Sequence, residues 1–534
     1  MVVKTRVQPD FATVAETVAA TRNADPDSAP NVIPLVASMP AEFMNPSSAY
    51  LKLSAKSKKK ESFLLESASS KETIGRYSFL GCDPRKVITT GNGHGPDVDP
   101  LDVLEKELSQ YRPVKFPGIS LPTMNGGALG YVAYDCVKYF EPRTARDLKD
   151  PFHIPESFFM LCDTIVAFDH FFETIKVITN IHITSSTTNA ELETLYQAAT
   201  NTLSEIIDIL QSPDTPLPPQ PPIKKNQEYV SNIGREGYEG HVNRLKKHIT
   251  KGDIIQAVPS QRFSRPTSLH PFNIYRHLRT VNPSPYLFYI DCDSFQLVGA
   301  SPELLVKSEH GRVLTHPIAG TVKRGKTTEE DDRLAAELKA SLKDRAEHVM
   351  LVDLARNDIN RVCDPLTTTV DRLMTVERFS HVMHLVSQVS GVLRTGKTRF
   401  DAFRSIFPAG TVSGAPKVRA MELIHELEGE RRGVYGGAVG YWGYESDSMD
   451  TCIALRTMMV KDGVAYLQAG GGIVFDSDPY DEWMETMNKL GANMHCITSA
   501  EERFSDLADE AKDLAEQPAA PAAERKSVHL GDGS

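Results

Sequence analysis

Basic charge is in short supply: the 534-residue chain has 59 lysines and arginines against 70 aspartates and glutamates, a net charge of −11. That excludes a general nucleic-acid binder, whose affinity comes from neutralising phosphates. Long apolar runs are missing as well. The most apolar stretch, Phe158 to Phe172, is broken by Asp163 and Asp169, and nothing approaches the roughly 18 uninterrupted apolar residues of a membrane span. The opening MVVKTRVQPDFATV lacks the apolar core and small-residue cleavage site of a secretory signal, so a cytoplasmic address is expected. Cysteine is sparse: Cys82, Cys136, Cys162, Cys292, Cys363, Cys452 and Cys496 are an odd, scattered seven with no C-x-x-C pair. That argues for reduced thiols over disulfides or a zinc site.

What is present is the composition of a folded protein, with length for roughly two to four domains. Residues 1–30, polar and rich in Ala, Asp and Pro, read as a flexible leader. An N-terminal region over 31–211 follows. The proline-dense segment 212–225 (SPDTPLPPQPPIKK) can carry neither helix nor inner strand and reads as a linker. Its PxxP pattern fits an intradomain connector better than an adaptor-domain ligand. Residues 226–505 are dense in helix and strand signals, and 506–534 read as a disordered tail. Ser157 to Ile183 suggests two paired strands interrupted at Asp169-His170. Thr327-x-x-Glu330 is a capping box heading a helix whose stripe is Leu334, Leu338, Leu342, Ala346 and Val349, with Glu347 at its edge. Ser477-Asp478-Pro479 starts another helix, with Trp483, Met487, Leu490 and Met494 inward and Glu485 pointing away.

The chemistry gathers around one hairpin. Asp462-Gly463 is a type I′ turn signal between CIALRTMMV and VAYLQAGGGIVF. A two-residue turn sets the register, so Lys461 faces Val464 and, counting back, Arg456 lies opposite Ala469, beside Gly470 and Gly472. With the glycine cluster after Tyr435, this fits a small anion held by a guanidinium fork and free backbone N–H groups. Close strand packing with an ordinary salt bridge is an equal alternative on these grounds. Glu347 and Glu485 are hard oxygen donors of the kind Mg²⁺ takes, although Glu485 by itself reads as a solvated carboxylate. His381 and His384 are metal ligands, acid/base groups or structural hydrogen-bonders. Other chemistries lose support: GTVSGAPK (Gly410 to Lys417) has the wrong spacing for a phosphate loop, and GNGHG (Gly91 to Gly95) lacks the third glycine of a dinucleotide site. No G-x-S-x-G elbow or H-E-x-x-H motif occurs.

Taken in order, LLESA (Leu64 to Ala68), GRYSFLGCDP (Gly75 to Pro84), GDIIQAVPSQRF (Gly252 to Phe263), NPSPYLFY (Asn282 to Tyr289), GASPELLV (Gly299 to Val306), PIAGTVKRG (Pro317 to Gly325), AEHVMLVDLARND (Ala346 to Asp358), HVMHLVS, GTVSGAPKVRAME, RRGVYGGAVGY, TCIALRT and QAGGGIVFDSDPYDEWMET closely resemble the large subunits (component I) of anthranilate synthases, which are chorismate-utilising enzymes. The likeness covers about Phe63 to Ala500. It implies an α+β fold of four layers, α/β/β/α, in which two large, mostly antiparallel sheets are flanked by helices. It also implies Mg²⁺ on Glu347 and Glu485, bridging to the ring carboxylate of chorismate. Arg456 and Tyr435 then clamp the enolpyruvyl carboxylate, backed by Gly470, Gly471 and Gly472, while Gly320 and Thr321 line the ring. Glu303 becomes the general acid for the leaving 4-hydroxyl, His384 assists later proton transfer or substrate positioning, and Gln256 and Thr411 complete the catalytic set.

The implied reaction adds ammonia at C2 of chorismate as the 4-hydroxyl leaves, then eliminates pyruvate to give anthranilate, the first committed step of tryptophan biosynthesis. Ala319 stands where aminodeoxychorismate synthases with a lysine nucleophile carry it, and Gln256 where isochorismate and salicylate synthases resemble one another in placing a water-activating lysine. Both favour ammonia over the alternatives, which are those relatives' activities or a catalytically inactive tryptophan-sensing subunit. None of the seven cysteines stands in the Gly-x-Cys-Leu-Gly context of a glutaminase. A glutamine amidotransferase subunit (component II) is therefore expected as partner, in a higher hetero-oligomer. The resemblance further implies a feedback site for L-tryptophan at Glu66, Ser67, Pro285, Tyr286 and Leu287, with Cys452 near the path between sites. Leu287 replaces the methionine common at that position.

Overall fold

The computed structural model of the protein describes residues 6–24, 29–67, 75–378 and 382–516. Two antiparallel sheets dominate, one of twelve strands and one of ten. The strand Tyr286–Asp291 shows how they are layered. Phe288 and Ile290 enter a core shared by both sheets, whereas Leu287 and Tyr289 enter a second core beneath helices that include Phe11–Ala24, Asn189–Gln211, Pro271–Val281 and Pro479–Glu516. This is the period-2 alternation of a strand buried on both faces. On the far side, helices Leu342–Asn360 and Arg399–Ile406 send Val352, Ala355, Ile359, Phe400 and Phe403 into the core of the ten-stranded sheet. The result is the expected α+β, α/β/β/α arrangement.

The proline-rich segment separates sequence, not structure. Ser62–Glu66 pairs with Tyr286–Asp291, Leu287 lying opposite Glu66, and Gly127–Val132 pairs with Ala438–Gly443. Both sheets thus zip the first half of the chain to the second. Among the described residues no helix is long and apolar enough to cross a membrane.

Four local expectations are corrected. The leader is folded where it is described: Val7–Gln8 pairs with the strand Val32–Pro40, and Val14 and Val18, one helical turn apart on Phe11–Ala24, are buried. Ser157 to Ile183 holds three strands, not two. Ser157–Cys162 belongs to the ten-stranded sheet, while Thr164–Asp169 and Thr174–His182 form a hairpin in the other. The switch falls at Asp163, whose carboxylate is held by Arg85, His182 and Tyr444. The helix after Thr327 breaks at Ser341, which caps a new helix, Leu342–Asn360. The stripe therefore fails there, and Leu342 is exposed. Finally, the last helix runs through the start of the expected tail to Glu516, and 517–534 lie outside the described residues.

Candidate active site

The hairpin register is the one a two-residue turn requires. Asp462 and Gly463 have φ of 52° and 74°, both left-handed as type I′ demands, and pairing runs from Lys461 opposite Val464 to Met458 opposite Leu467. Arg456 precedes the strand Thr457–Lys461 with φ of 51°, a backbone strain on the order of 1 kcal/mol or more for a residue with a Cβ. Its Nη1 donates to the carbonyl of Lys489 on the helix Pro479–Glu516. Burial pushes the guanidinium below the usual arginine range, and the nearby Tyr435 and Glu485 oppose that shift. The rest of its fork has no hydrogen-bond partner among the described residues.

The three glycines permit close approach. A Cβ on Gly470 would lie 2.4 Å from the Pro259 carbonyl oxygen, and one on Gly472 would lie 2.4 Å from Gln256 Nε2. The expectation of free backbone donors holds less well at Gly471, whose N–H donates to the wholly buried Tyr238 hydroxyl at 3.0 Å. Tyr435 faces the Gly470 backbone, and burial pushes its phenol up to about 12, which keeps it a neutral donor.

Two carboxylates approach from separate helices. Glu347 on Leu342–Asn360 receives Gln256 Nε2 at 3.4 Å. Burial pushes its carboxyl up; Lys489 opposes the rise and the Glu485 charge adds to it. Glu485 lies 2.7 Å from Lys489 Nζ, which also donates to the Gly470 carbonyl at 2.9 Å. Sequence reasoning missed Lys489 and Tyr238, and two more acids beside this set. Glu482 takes the Ser477 hydroxyl at 2.6 Å on one oxygen while its buried Oε2 has no partner. Asp344 Oδ1 would lie 3.0 Å from a Cβ on Gly320, a residue at φ 72°. Their side chains are gathered from distant segments, and no spacing signal announces them.

Across the groove, buried Glu303 accepts from Thr411 Oγ1 at 3.3 Å, and burial pushes its carboxyl up to about 8. It therefore holds a proton at neutral pH. His384 Nδ1 lies 3.1 Å from the Gly320 carbonyl and 3.0 Å from Thr321 Oγ1. A carbonyl only accepts, so Nδ1 carries the proton. Burial pushes the ring down to about 4, so it is neutral. His381 lies outside the described residues. Charge interactions thus connect the expected residues: Lys489 acts on Glu303 and Glu347, and Arg456 acts on His384 and Tyr435.

The donor chemistry fits Mg²⁺. Among the described residues no group of three or more His, Cys, Asp or Glu is spaced to hold a metal by itself. Glu347 and Glu485, two hard carboxylates whose charges repel, are what Mg²⁺ takes when substrate oxygens and waters complete its shell.

A separate cavity of about 690 Å³ lies between the sheets, and its lining includes Glu66, Ser67, Pro285, Tyr286, Leu287 and Cys452. Glu66 accepts from the Tyr275 hydroxyl at 2.7 Å and from Arg279 at 2.8 Å. The Tyr286 hydroxyl donates to Asp450 at 3.0 Å. Burial pushes the Cys452 thiol up to about 12. Pro302 and Leu304 line this cavity on either side of Glu303, so one residue links the two regions.

Comparison with known proteins gives the family and the fold. The family model described as chorismate binding enzyme matches residues 60–495. Anthranilate synthase component 1 of Saccharomyces cerevisiae is 62% identical over 513 residues, 95% of this chain and 99% of that protein. The crystal structure of anthranilate synthase component I from Streptococcus pneumoniae superposes with a TM-score of 0.68 at 37% identity, covering 80% of this chain and 95% of that one. The menaquinone-specific isochorismate synthase of Escherichia coli shares the fold, with a TM-score of 0.67 at 17% identity over 91% of this chain and all of that one. On these grounds the chain belongs to the chorismate binding enzymes and, among them, to the anthranilate synthase component 1 family.

Proposed function

We propose that this protein is the large subunit of a cytoplasmic, Mg²⁺-dependent anthranilate synthase, a lyase that converts chorismate and ammonia to anthranilate and pyruvate. The observation that carries the reading is the convergence of the unsatisfied Arg456 fork, the Glu347–Glu485 pair and a protonated, buried Glu303 on one groove. Arg456 and Tyr435 hold the enolpyruvyl carboxylate by charge and a neutral phenol donor. Gly320 and Thr321 lie along the ring. Glu303, kept protonated by burial and oriented by Thr411, passes its proton to the departing 4-hydroxyl. Gln256 has a buried Oε1 with no partner, an acceptor suited to orient an N–H of ammonia as it attacks C2. His384, neutral with its proton on Nδ1, assists the later proton transfer or the positioning of the substrate. Mg²⁺ on Glu347 and Glu485 would supply electrostatic anchoring of the ring carboxylate.

Ammonia reaches the groove from a component II glutamine amidotransferase, with free ammonium as a poorer substitute. L-Tryptophan binds the second cavity and acts through the connection Pro302–Glu303 between the strands Gln296–Ser301 and Leu304–Glu309, favouring a state in which the groove is not assembled, a coupling that must be reciprocal with chorismate. The test is anthranilate fluorescence from purified protein given chorismate, Mg²⁺ and ammonium at alkaline pH, with and without tryptophan. Fluorescence suppressed by tryptophan supports both halves. Consumption of chorismate to a non-fluorescent product, or none even with a glutaminase subunit present, overturns the assignment.

A further inference from the structure

We propose that Arg432, paired with Glu428, is a positioning residue for the chorismate chemistry, locking together the backbone segments that carry Gln256, Thr411, Gly470 and Tyr435; this rests on the reading of the groove given above. The helix Lys417–Glu428 ends at Gly429 with φ of 64°, and the pair meets across that turn. Both side chains are buried, 1% and 9% exposed. Arg432 Nε and Nη2 donate to the two Glu428 oxygens at 2.9 and 2.7 Å, a bidentate pair.

The fork reaches further than its partner. Nη1 donates to the Val412 carbonyl at 2.8 Å and Nη2 to the Val258 carbonyl at 2.7 Å. Glu428 Oε1 in turn accepts the N–H and hydroxyl of Ser260 at 2.8 and 2.9 Å. Each anchored atom neighbours the groove: Val412 follows Thr411, Val258 is two residues past Gln256, and Ser260 pairs with Gly470 in the sheet. The guanidinium also lies over the rings of Tyr134 and Tyr435, 4.4 and 5.6 Å from their centroids. A buried ion pair is a weak source of net stability compared with apolar packing. What this one offers is a fixed relation among four segments distant in sequence, and misplacement of reacting groups by about 1 Å costs large factors in rate. The equally buried Arg265–Glu501 pair differs: it joins the strand Ser260–Pro266 to the helix Pro479–Glu516, but among the described residues Arg265 otherwise donates only to the Gln227 carbonyl and bonds no backbone group beside Gln256, Thr411, Gly470 or Tyr435. It serves as the control.

Arg432→Lys keeps the charge but replaces the planar fork with one ammonium. With ammonium as nitrogen source, kcat is expected to fall about tenfold or more with a smaller rise in KM for chorismate, because Tyr435 shares the carboxylate clamp with Arg456, which Arg432 does not contact. The tryptophan inhibition midpoint stays within about twofold, and Arg265→Lys lowers Tm with kcat within about threefold. If Arg432→Lys does not fold, Glu428→Gln carries the same readouts. Wild-type kcat in a folded variant, a loss confined to KM, or an equal kcat loss in Arg265→Lys overturns the proposal. So does failure of both Arg432→Lys and Glu428→Gln to fold. A wild-type protein that forms no anthranilate overturns the underlying reading instead, and is told apart because it fails before any substitution.

Discussion

The groove and the 690 Å³ cavity are built on opposite electrostatic plans. In the groove, polar groups are left incomplete or shifted: Gln256 Oε1 and Glu482 Oε2 are buried without partners, Arg456 uses one donor, and Glu303 is pushed up to about 8. In the cavity most charges are matched: Glu66 by Arg279 and Tyr275, Arg372 by Glu377 at 3.3 Å, and Lys307 by Glu309 at 3.0 Å, while burial pushes up the Asp450 carboxyl, which takes the Tyr286 hydroxyl. Desolvated, unpaired groups cost stability, and they persist where a substrate or cation completes them. A cavity with most of its charges already paired selects a ligand chiefly by shape and apolar contact. The first region should therefore respond to single substitutions in rate, and the second in ligand affinity.

The largest effect is expected at the carboxylates proposed to hold Mg²⁺. Glu347→Gln should lower anthranilate formation by about a thousandfold or more, the upper range for removing a preorganised charge. Tryptophan should still raise the Tm of that variant, because ligand binding to the folded state stabilises it whatever happens at the other site. Loss of the tryptophan-induced shift together with activity would break the comparison, since the two regions would then be one.

Next comes Glu303. The general-acid role proposed for it requires the protonated form, so the rate should fall as pH rises through about 8, the position to which burial moves its carboxyl. Glu303→Gln should cost roughly 10²–10⁴-fold in kcat and flatten that alkaline limb. A limb unchanged in Glu303→Gln would assign it to another group. Tryptophan affinity sharpens the contrast, because Pro302 and Leu304 line the cavity while Glu303 takes the Thr411 hydroxyl.

How much of this was legible depends on whether the determining contact is local. The hairpin register could be read because a two-residue turn fixes it over short range, although the ladder ends at Met458 opposite Leu467, short of the expected Arg456–Ala469 pair; the α/β/β/α layering followed from the resemblance. Glu485 could not be read from the residues alone. It is an exposed helix carboxylate with a lysine four positions on, the pattern of a solvated i,i+4 pair, and only the approach of Glu347 from another helix gives it a role. The leader failed for a related reason: two valines among Ala and Thr make a weak stripe, and the sheet that covers them is assembled from distant segments. The sheet switch at Asp163 depends on Arg85, His182 and Tyr444, none of them a sequence neighbour.

A smaller effect is expected at Tyr286, whose hydroxyl donates to Asp450. Tyr286→Phe should weaken tryptophan inhibition about 3–10-fold, the worth of roughly one hydrogen bond, with kcat in the absence of tryptophan unchanged. A comparable drop in kcat would mean that the cavity wall also sets the groove, and the separation of rate from affinity would fail.

The smallest effect should come from Leu287→Met. Leu287 lies opposite Glu66 in the sheet, lines the cavity and is 4% exposed, yet it packs with the core on the helical side, the face opposite Phe288. Successive residues of a strand point to opposite faces, so its contribution to the cavity is through backbone and packing more than through its side-chain terminus. Leucine and methionine are close in volume, and such a swap typically costs less than about 1.5 kcal/mol. The tryptophan midpoint should therefore move by no more than about threefold and Tm by a few degrees. A shift beyond tenfold at unchanged Tm would mean that the ligand reads this side chain directly, and the cavity would then discriminate by contact chemistry at that position as the groove does.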